Sequence, residues 1–223
     1  MNIRLLSLIA VVLLPWAIRR RIYSGLFGYT IHPTARIGFS LVDADYVEML
    51  AGSYIGSLTI IRNLEELSLG EDAGIGTFNW IFGYRSKFKK HFKQHPDRKS
   101  ALRLGDHAAI VARHIVDCTD VIDIGEYSTI AGHRSQMLTH AIDFRENRQT
   151  CAPIRIGRYC FIGTGAILLK GAVIPDYCLI GAGSVVHKPL DEEAWVYAGV
   201  PAAKIKPVNK SLGYFIRKRG SVT

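Results

Sequence analysis

The chain has 223 residues, the length of one domain with extensions, and its 48% hydrophobic content is ample for a continuous core. A formal net charge of +9 favours anionic partners: phosphorylated cofactors, acidic lipid or acidic glycans. Neither zinc-finger spacing nor an aromatic RNA-binding box is present, which argues against nucleic acid.

Residues 3–18 are almost wholly apolar, and Arg19, Arg20 and Arg21 follow. The apolar run from Leu5 to Ile18 falls short of the ~20 residues a membrane span needs, and Pro15 interrupts it. A triple arginine stands where a signal peptide would need its small-residue cleavage site. The segment 1–30 therefore reads in two ways. One is an interfacial helix, with Trp16 and the arginines at lipid headgroups and membrane contact through residues 1–22. The other is a hydrophobic helix that caps the open end of a repeat structure.

From Ile31 a six-residue spacing of aliphatic residues begins, weakly at first with Ile37, then at Ile55 and Ile61, and at Leu69, Ile75 and Ile81. It continues at Leu104, Ile110, Val116 and Ile122, and again at Ile124 and Ile130. Near the C-terminus it becomes strict: Ile156, Ile162, Leu168, Ile174, Ile180, Val186. Small residues stand four places after the first five of these, at Cys160, Ala166, Ala172, Cys178 and Ser184. Neither a helix, with period 3.6, nor an ordinary strand, with period 2, produces this repeat. Each hexad is expected to form one short strand plus a bend, the aliphatic side chain inside and the small residue where the turn leaves little room. Such units cannot bury their apolar side alone and must stack as a solenoid over 31–206.

Two stretches fit no hexad. Residues 85–103 hold eight Lys or Arg and one Asp, and read as a basic excursion from the solenoid, solvated or lying over an acidic partner. Residues 136–153 form a second interruption, and 207–223 a basic tail with interspersed apolar residues. Cys118, Cys151, Cys160 and Cys178 form no CxxC pair and no metal-ligand spacing, so they read as small buried hydrophobes in a reducing, cytoplasmic setting.

The consecutive hexads resemble those of the hexapeptide-repeat acyltransferases. The resemblance implies an all-β fold, a left-handed parallel β-helix in which three hexads make one triangular coil, here with a short hydrophobic N-terminal helix and a basic C-terminal tail. Cys160 and Cys178, eighteen residues apart, would then share one inner corner of successive coils, ~4.8 Å apart. Acyl transfer to a hydroxyl needs a base, and neutral histidine suits the role. Of the eight histidines, His140 stands in Thr139-His140-Ala141-Ile142-Asp143, ahead of Pro153-Ile154-Arg155-Ile156-Gly157. That order is similar to the sugar O-acetyltransferase branch, which includes the galactoside, maltose and xenobiotic acetyltransferases. By this resemblance 136–153 is the active-site loop and His140 the general base, with His133 as runner-up and Asp143 the candidate to orient the imidazole.

The resemblance also implies acetyl-CoA as acyl donor, no metal, and a groove between the subunits of a homotrimer. Its motifs put cofactor contacts at Thr164, Ala182, His187, Lys188, Lys204 and Lys206, the last two because cations suit the CoA phosphates. His187 replaces the family's usual threonine, and Ala203 stands where a basic residue is common. The expected activity is O-acetylation of a sugar hydroxyl in surface-polysaccharide or lipid-linked glycan synthesis, in the cytoplasm or peripherally on the inner face of the cell membrane. Two alternatives stay open: N-acetylation of a nucleotide-linked amino sugar, and a non-catalytic β-helix scaffold. A zinc enzyme of the β-helical carbonic anhydrase type is disfavoured, because the His107/His114 and His133/His140 pairs each have six residues between them where four are needed.

Overall fold

The computed structural model describes residues 3–88 and 90–220; residues 1–2 of the N-terminal segment, Lys89 of the basic excursion and 221–223 of the tail lie outside the described residues. The chain winds as a left-handed parallel β-helix with three faces. Face I stacks Glu66–Leu69 on Ala101–Leu104, then Ile122–Ile124, Ile154–Ile156 and Val173–Ile174. Face II runs from Arg36–Ile37 through Tyr54–Ile55, Ala109–Ile110 and Phe161–Ile162 to Leu179–Ile180 and Trp195–Ala198. Face III stacks Ile60–Arg62, Trp80–Phe82, Ile115–Asp117, Gln136–Leu138, Ile167–Leu169 and Val185–Val186.

The hexads produce this stack directly. On face II, Ile37, Ile55, Ile75, Ile110, Ile130, Ile162 and Ile180 fall in one buried column. Each such burial stabilises by ~1.5–3 kcal/mol before the chain's lost entropy is set against it. The I–II corner is filled by small side chains, among them Ala35, Ala73, Ala108, Cys160 and Cys178, all fully buried. Cys160 and Cys178 precede the paired residues Phe161 and Leu179, and Phe161 N–H donates to the Cys178 carbonyl at 3.0 Å, so they do share one corner of successive coils.

Breaks in the hexad phase have a common cause. Ile162 pairs with Ile180, eighteen residues on, but Ile75 pairs with Ile110, thirty-five on, and Ile130 with Ile162, thirty-two on. Most of the surplus leaves the coil at one place, the III–I corner. There the chain departs after Trp80–Phe82 and returns at Ala101–Leu104, and departs again after Gln136–Leu138 and returns at Ile154–Ile156.

The N-terminal segment forms two helices where one was expected, α1 (Ile3–Val12) and α2 (Trp16–Phe27), parted at Pro15, whose missing N–H ends the first and suits the start of the second. Leu8, Val11 and Tyr23 bury against the first coil. Arg19 is buried too: its guanidinium donates to the Ile37 and Gly38 carbonyls at 3.0 and 2.7 Å, between the rings of Trp16 and Phe39. These contacts are those of a cap. Among the described residues no helix is long and apolar enough to cross a membrane. At the other end the basic tail folds back on face II through the short helix α3 (Gly213–Ile216). The Tyr214 hydroxyl donates to the Cys160 carbonyl at 2.9 Å, and Arg217 lies 3.9 Å from the Tyr214 ring centre.

Candidate active site

Both interruptions of the repeat leave from the III–I corner, so they become neighbours in space. The second folds as an antiparallel hairpin, His140–Asp143 on Arg148–Cys151, with His140 opposite Cys151 at its base. The first, residues 83–100, lies against it: His95 Nε2 is 3.0 Å from the Thr150 hydroxyl, and the Gln94 amide donates to the Gln149 carbonyl. Two arginines fix the feet of this excursion. Buried Arg85 pairs with Asp43 at 2.9 Å and Asp45 at 3.1 Å. Buried Arg98 donates to the carbonyls of Tyr84, Thr119 and Arg85 and packs its guanidinium 4.7 Å from the Phe92 ring centre. The basic stretch is thus anchored, and only part of its charge faces solvent.

At the base of the hairpin the His140 imidazole meets the Asp117 carboxylate through a short Nδ1–Oδ2 hydrogen bond. Asp117 belongs to the preceding coil, where it ends a face III strand paired with Gln136–Leu138. Its side chain is fully buried and accepts from Thr119 N–H at 3.0 Å, from the Thr119 hydroxyl at 2.7 Å and from His140 N–H at 3.2 Å. Burial pushes the Asp117 carboxyl up, but the hydrogen bonds from His140 and Thr119 outweigh it and hold the group below the usual carboxylate range. The hydrogen bond to Asp117 raises the His140 pKa, against an opposing effect of burial. An ionised carboxylate at Nδ1 keeps the proton on that nitrogen and leaves the Nε2 lone pair outward. The His140 side chain is 39% exposed, open to a reactant. Phe92 of the excursion stands edge-on to the ring, centres 6.2 Å apart.

The expectations for other residues fare differently. Asp143 does not reach His140: its carboxylate accepts from the backbone N–H of Arg145 and Glu146 and closes the hairpin turn. Successive residues of a strand point to opposite sides, so Asp143, three residues on, cannot share the face of His140; Asp117 takes the orienting position. His133 sits at the II–III corner, across face III from His140, and both its N–H and its carbonyl bond the Thr164 hydroxyl, at 3.0 and 2.8 Å. Next to it, buried His114 accepts from Ser135 N–H at 3.2 Å, and burial together with the nearby His133 lowers its pKa to about 4.

Thr164 and Ala182 line one shallow groove at the II–III corner, about 490 Å³, with Gly132, Gly163 and Gly181 forming its floor. Gly163 is required there, since a Cβ would stand 2.7 Å from the Ala182 nitrogen. His187 and Lys188 follow Val186 and are exposed at the III–I corner, on the side of His140. Lys204 is bound to Glu192 and lies 5.0 Å from the Trp195 ring centre, so it is engaged, while Lys206 is exposed opposite Val196. Asp117 and Phe92 escaped the sequence reading. Asp117 directly follows the inward Val116 of an unbroken hexad, and only the pairing of coils sets it beside His140.

In chemical terms the site holds a buried carboxylate, an oriented imidazole with an outward lone pair and an aromatic wall, which together can accept a proton from a bound nucleophile. Among the described residues no group of His, Cys, Asp and Glu is arranged to hold a metal.

Comparison with known proteins agrees with this architecture. Residues 153–188 match the family described as bacterial transferase hexapeptide (six repeats). No curated protein matches the chain by sequence. Among solved structures, a variant of AntD, an N-acyltransferase from Bacillus cereus, in complex with dTDP and coenzyme A, is 20% identical with a TM-score of 0.57, over 70% of this chain and 83% of that one. A second AntD variant, in complex with dTDP-4-amino-4,6-dideoxyglucose and coenzyme A, is 19% identical with a TM-score of 0.51, over 71% and 78%. The chain therefore carries the repeat of the bacterial hexapeptide transferases, wound into a left-handed β-helix of the kind AntD also has.

Proposed function

We propose that the protein is an acyl-CoA-dependent O-acetyltransferase acting on a sugar hydroxyl, with His140 as general base. The observation that carries this reading is the buried Asp117 carboxylate on His140 Nδ1. His140 Nε2 takes the hydroxyl proton as the acceptor oxygen attacks the thioester carbonyl carbon. The tetrahedral intermediate expels the CoA thiolate, which recovers that proton from the imidazolium. Asp117 orients the ring and stabilises its transient positive charge.

The cofactor residues support a groove between copies. Thr164, Ala182 and His133 stand along one edge of face III; His140, His187 and Lys188 stand along the other. One copy cannot close a groove with both edges, but the II–III edge of one copy against the III–I edge of the next can. Such a head-to-tail contact can close as a ring, and the family resemblance points to a homotrimer. The outward side chains of face III fit burial there: Ile60, Trp80 and Ile115 are exposed apolar residues in register, whereas face I presents Glu48, Arg103, Asp123 and Arg155. Acetyl-CoA in this groove, its pantetheine over Gly163 and Gly181, would bring the thioester to a neighbour's His140 and supply proximity.

N-acetylation of a nucleotide-linked amino sugar is the second reading, favoured by the likeness to AntD, whose complex holds dTDP-4-amino-4,6-dideoxyglucose and coenzyme A. The same base serves an amine nucleophile. A cytoplasmic protein peripheral to the inner membrane face, working on surface-polysaccharide or lipid-linked glycan precursors, fits the outer side of α1 and the turn after it, where Ile3 and Leu13 are 80% and 79% exposed. Calorimetry with acetyl-CoA, followed by mass spectrometry of products from hydroxyl and amino sugar acceptors, tests the proposal. His140→Ala should abolish product while acetyl-CoA still binds. Turnover retained by His140→Ala, or no affinity for any acyl-CoA, overturns it.

A further inference from the structure

A cavity of about 710 Å³ opens between the basic excursion and the hairpin. Phe92 forms its wall nearest the reaction centre and is the ring that stands edge-on to His140. Beyond Phe92 the cavity presents Lys90, Lys93 and Arg148, with His91 beside them and Ile142 opposite. No carboxylate lines it among the described residues. Elsewhere on the excursion Arg85 and Lys87 pair with Asp45, and Lys99 pairs with Glu66. Lys90, Lys93 and Arg148 have no such partner among the described residues and are exposed. Three uncompensated cations converging on one cavity repel one another, an arrangement that favours a polyanionic guest.

We propose that this cavity is the acceptor site and that it binds a diphosphate ester, the acceptor being a sugar carried on a diphosphate. The inference rests on the acyl-transfer reading for its orientation, with the sugar toward Phe92 and His140. A diphosphate spreads its charge over two phosphoryl groups, which matches cations drawn from two separate segments, residues 90–93 and 148; a single carboxylate would engage one fork of Arg148 and leave the lysines unpaired. Phe92 offers an aromatic wall to the sugar ring, and exposed Ile142 an apolar side to the carrier. The diphosphate could belong to a nucleotide or to a prenyl lipid; the chemistry recognised is the same.

The test is calorimetric titration of the full chain with inorganic pyrophosphate in the presence of excess coenzyme A, which occupies the donor groove. Wild type should show saturable binding. A Lys90→Ala, Lys93→Ala and Arg148→Ala triple variant, whose exposed side chains leave the core untouched, should bind at least about tenfold more weakly with an unchanged melting temperature. His140→Ala should bind like wild type. UDP and farnesyl diphosphate in detergent micelles form two further arms; binding of either that the triple variant loses supports the site, and the tighter of the two names the carrier. Absence of pyrophosphate binding, binding that the triple variant retains, or binding that coenzyme A displaces would overturn the proposal. A protein that ignores coenzyme A yet binds pyrophosphate through these cations would instead keep the cavity and refute the acyl-transfer reading.

Discussion

Asp117 and His140 are twenty-three residues apart in sequence, and the winding of one coil brings the carboxylate of the first onto Nδ1 of the second. If His140 is the base, its neutral form is the active one, so kcat/KM should rise with pH through its elevated pKa and level off above it. Asp117→Asn removes the acceptor that raises this pKa. The rising limb should move to lower pH, and the plateau should fall by about 10²–10⁴-fold because the imidazole loses its fixed tautomer. A pH–rate profile of the two proteins checks both; an unmoved limb would assign the ionisation to another group.

Arg98 donates to three carbonyls, closing the two feet of the excursion on each other at Tyr84 and Arg85 and tying them to the coil at Thr119. Arg98→Ala leaves those acceptors buried and unpaired and should lower stability by about 1–3 kcal/mol. Because Phe92 packs on the same guanidinium, turnover should fall more than stability alone accounts for. Denaturant unfolding beside steady-state kinetics below the melting point separates the two effects.

Gly163 lies in the groove proposed for pantetheine, and a methyl group there would press on the backbone of the next coil, at Ala182 N and at the Ile180 carbonyl, 2.9 Å away. Gly163→Ala should cost about 1–3 kcal/mol and weaken acetyl-CoA binding. Calorimetry on a variant still folded by circular dichroism reads the second effect; unchanged affinity would move the donor site elsewhere.

Ile60, Trp80 and Ile115 form an exposed apolar row along face III. Trp80→Glu with Ile115→Glu puts two charges into the proposed contact between copies and should turn a trimer into monomers. Light scattering on a sizing column reports the mass directly, and a variant that stays trimeric would place the interface on another face.

Glu66 on face I carries an acid-range signature. Its hydrogen bond from Arg103, helped by Lys99, lowers its pKa to about 2, against the opposing effect of burial. A depressed carboxyl stabilises the fold above its unfolded pKa of 4.5, and that contribution fades as pH falls from there toward about 2. Thermal melts of Glu66→Gln should therefore lose stability relative to wild type near neutral pH and converge with it only as pH falls to about 2.

How far the chain could be read in advance depends on the range of the interaction. Ile156, Ile162, Leu168, Ile174, Ile180 and Val186 specify the coil because each hexad dictates its own bend, and the corner shared by Cys160 and Cys178 follows by counting. His140 was singled out by the motif around it. Its partner was not: Asp143 is nearest in sequence, but strand alternation turns it away, and Asp117 arrives only through the register of Ile115–Asp117 on Gln136–Leu138. For the same reason the excursion read as an exposed basic segment, solvated or lying over an acidic partner, although Arg85 and Arg98 are buried in its feet. Local periodicity by itself determined that this protein is a hexapeptide β-helix with a histidine at its second interruption. Only the tertiary structure decided which carboxylate orients that histidine and which basic loop walls it, because the first contact depends on the register of one coil on the next and the second joins two interruptions that meet only at a shared corner.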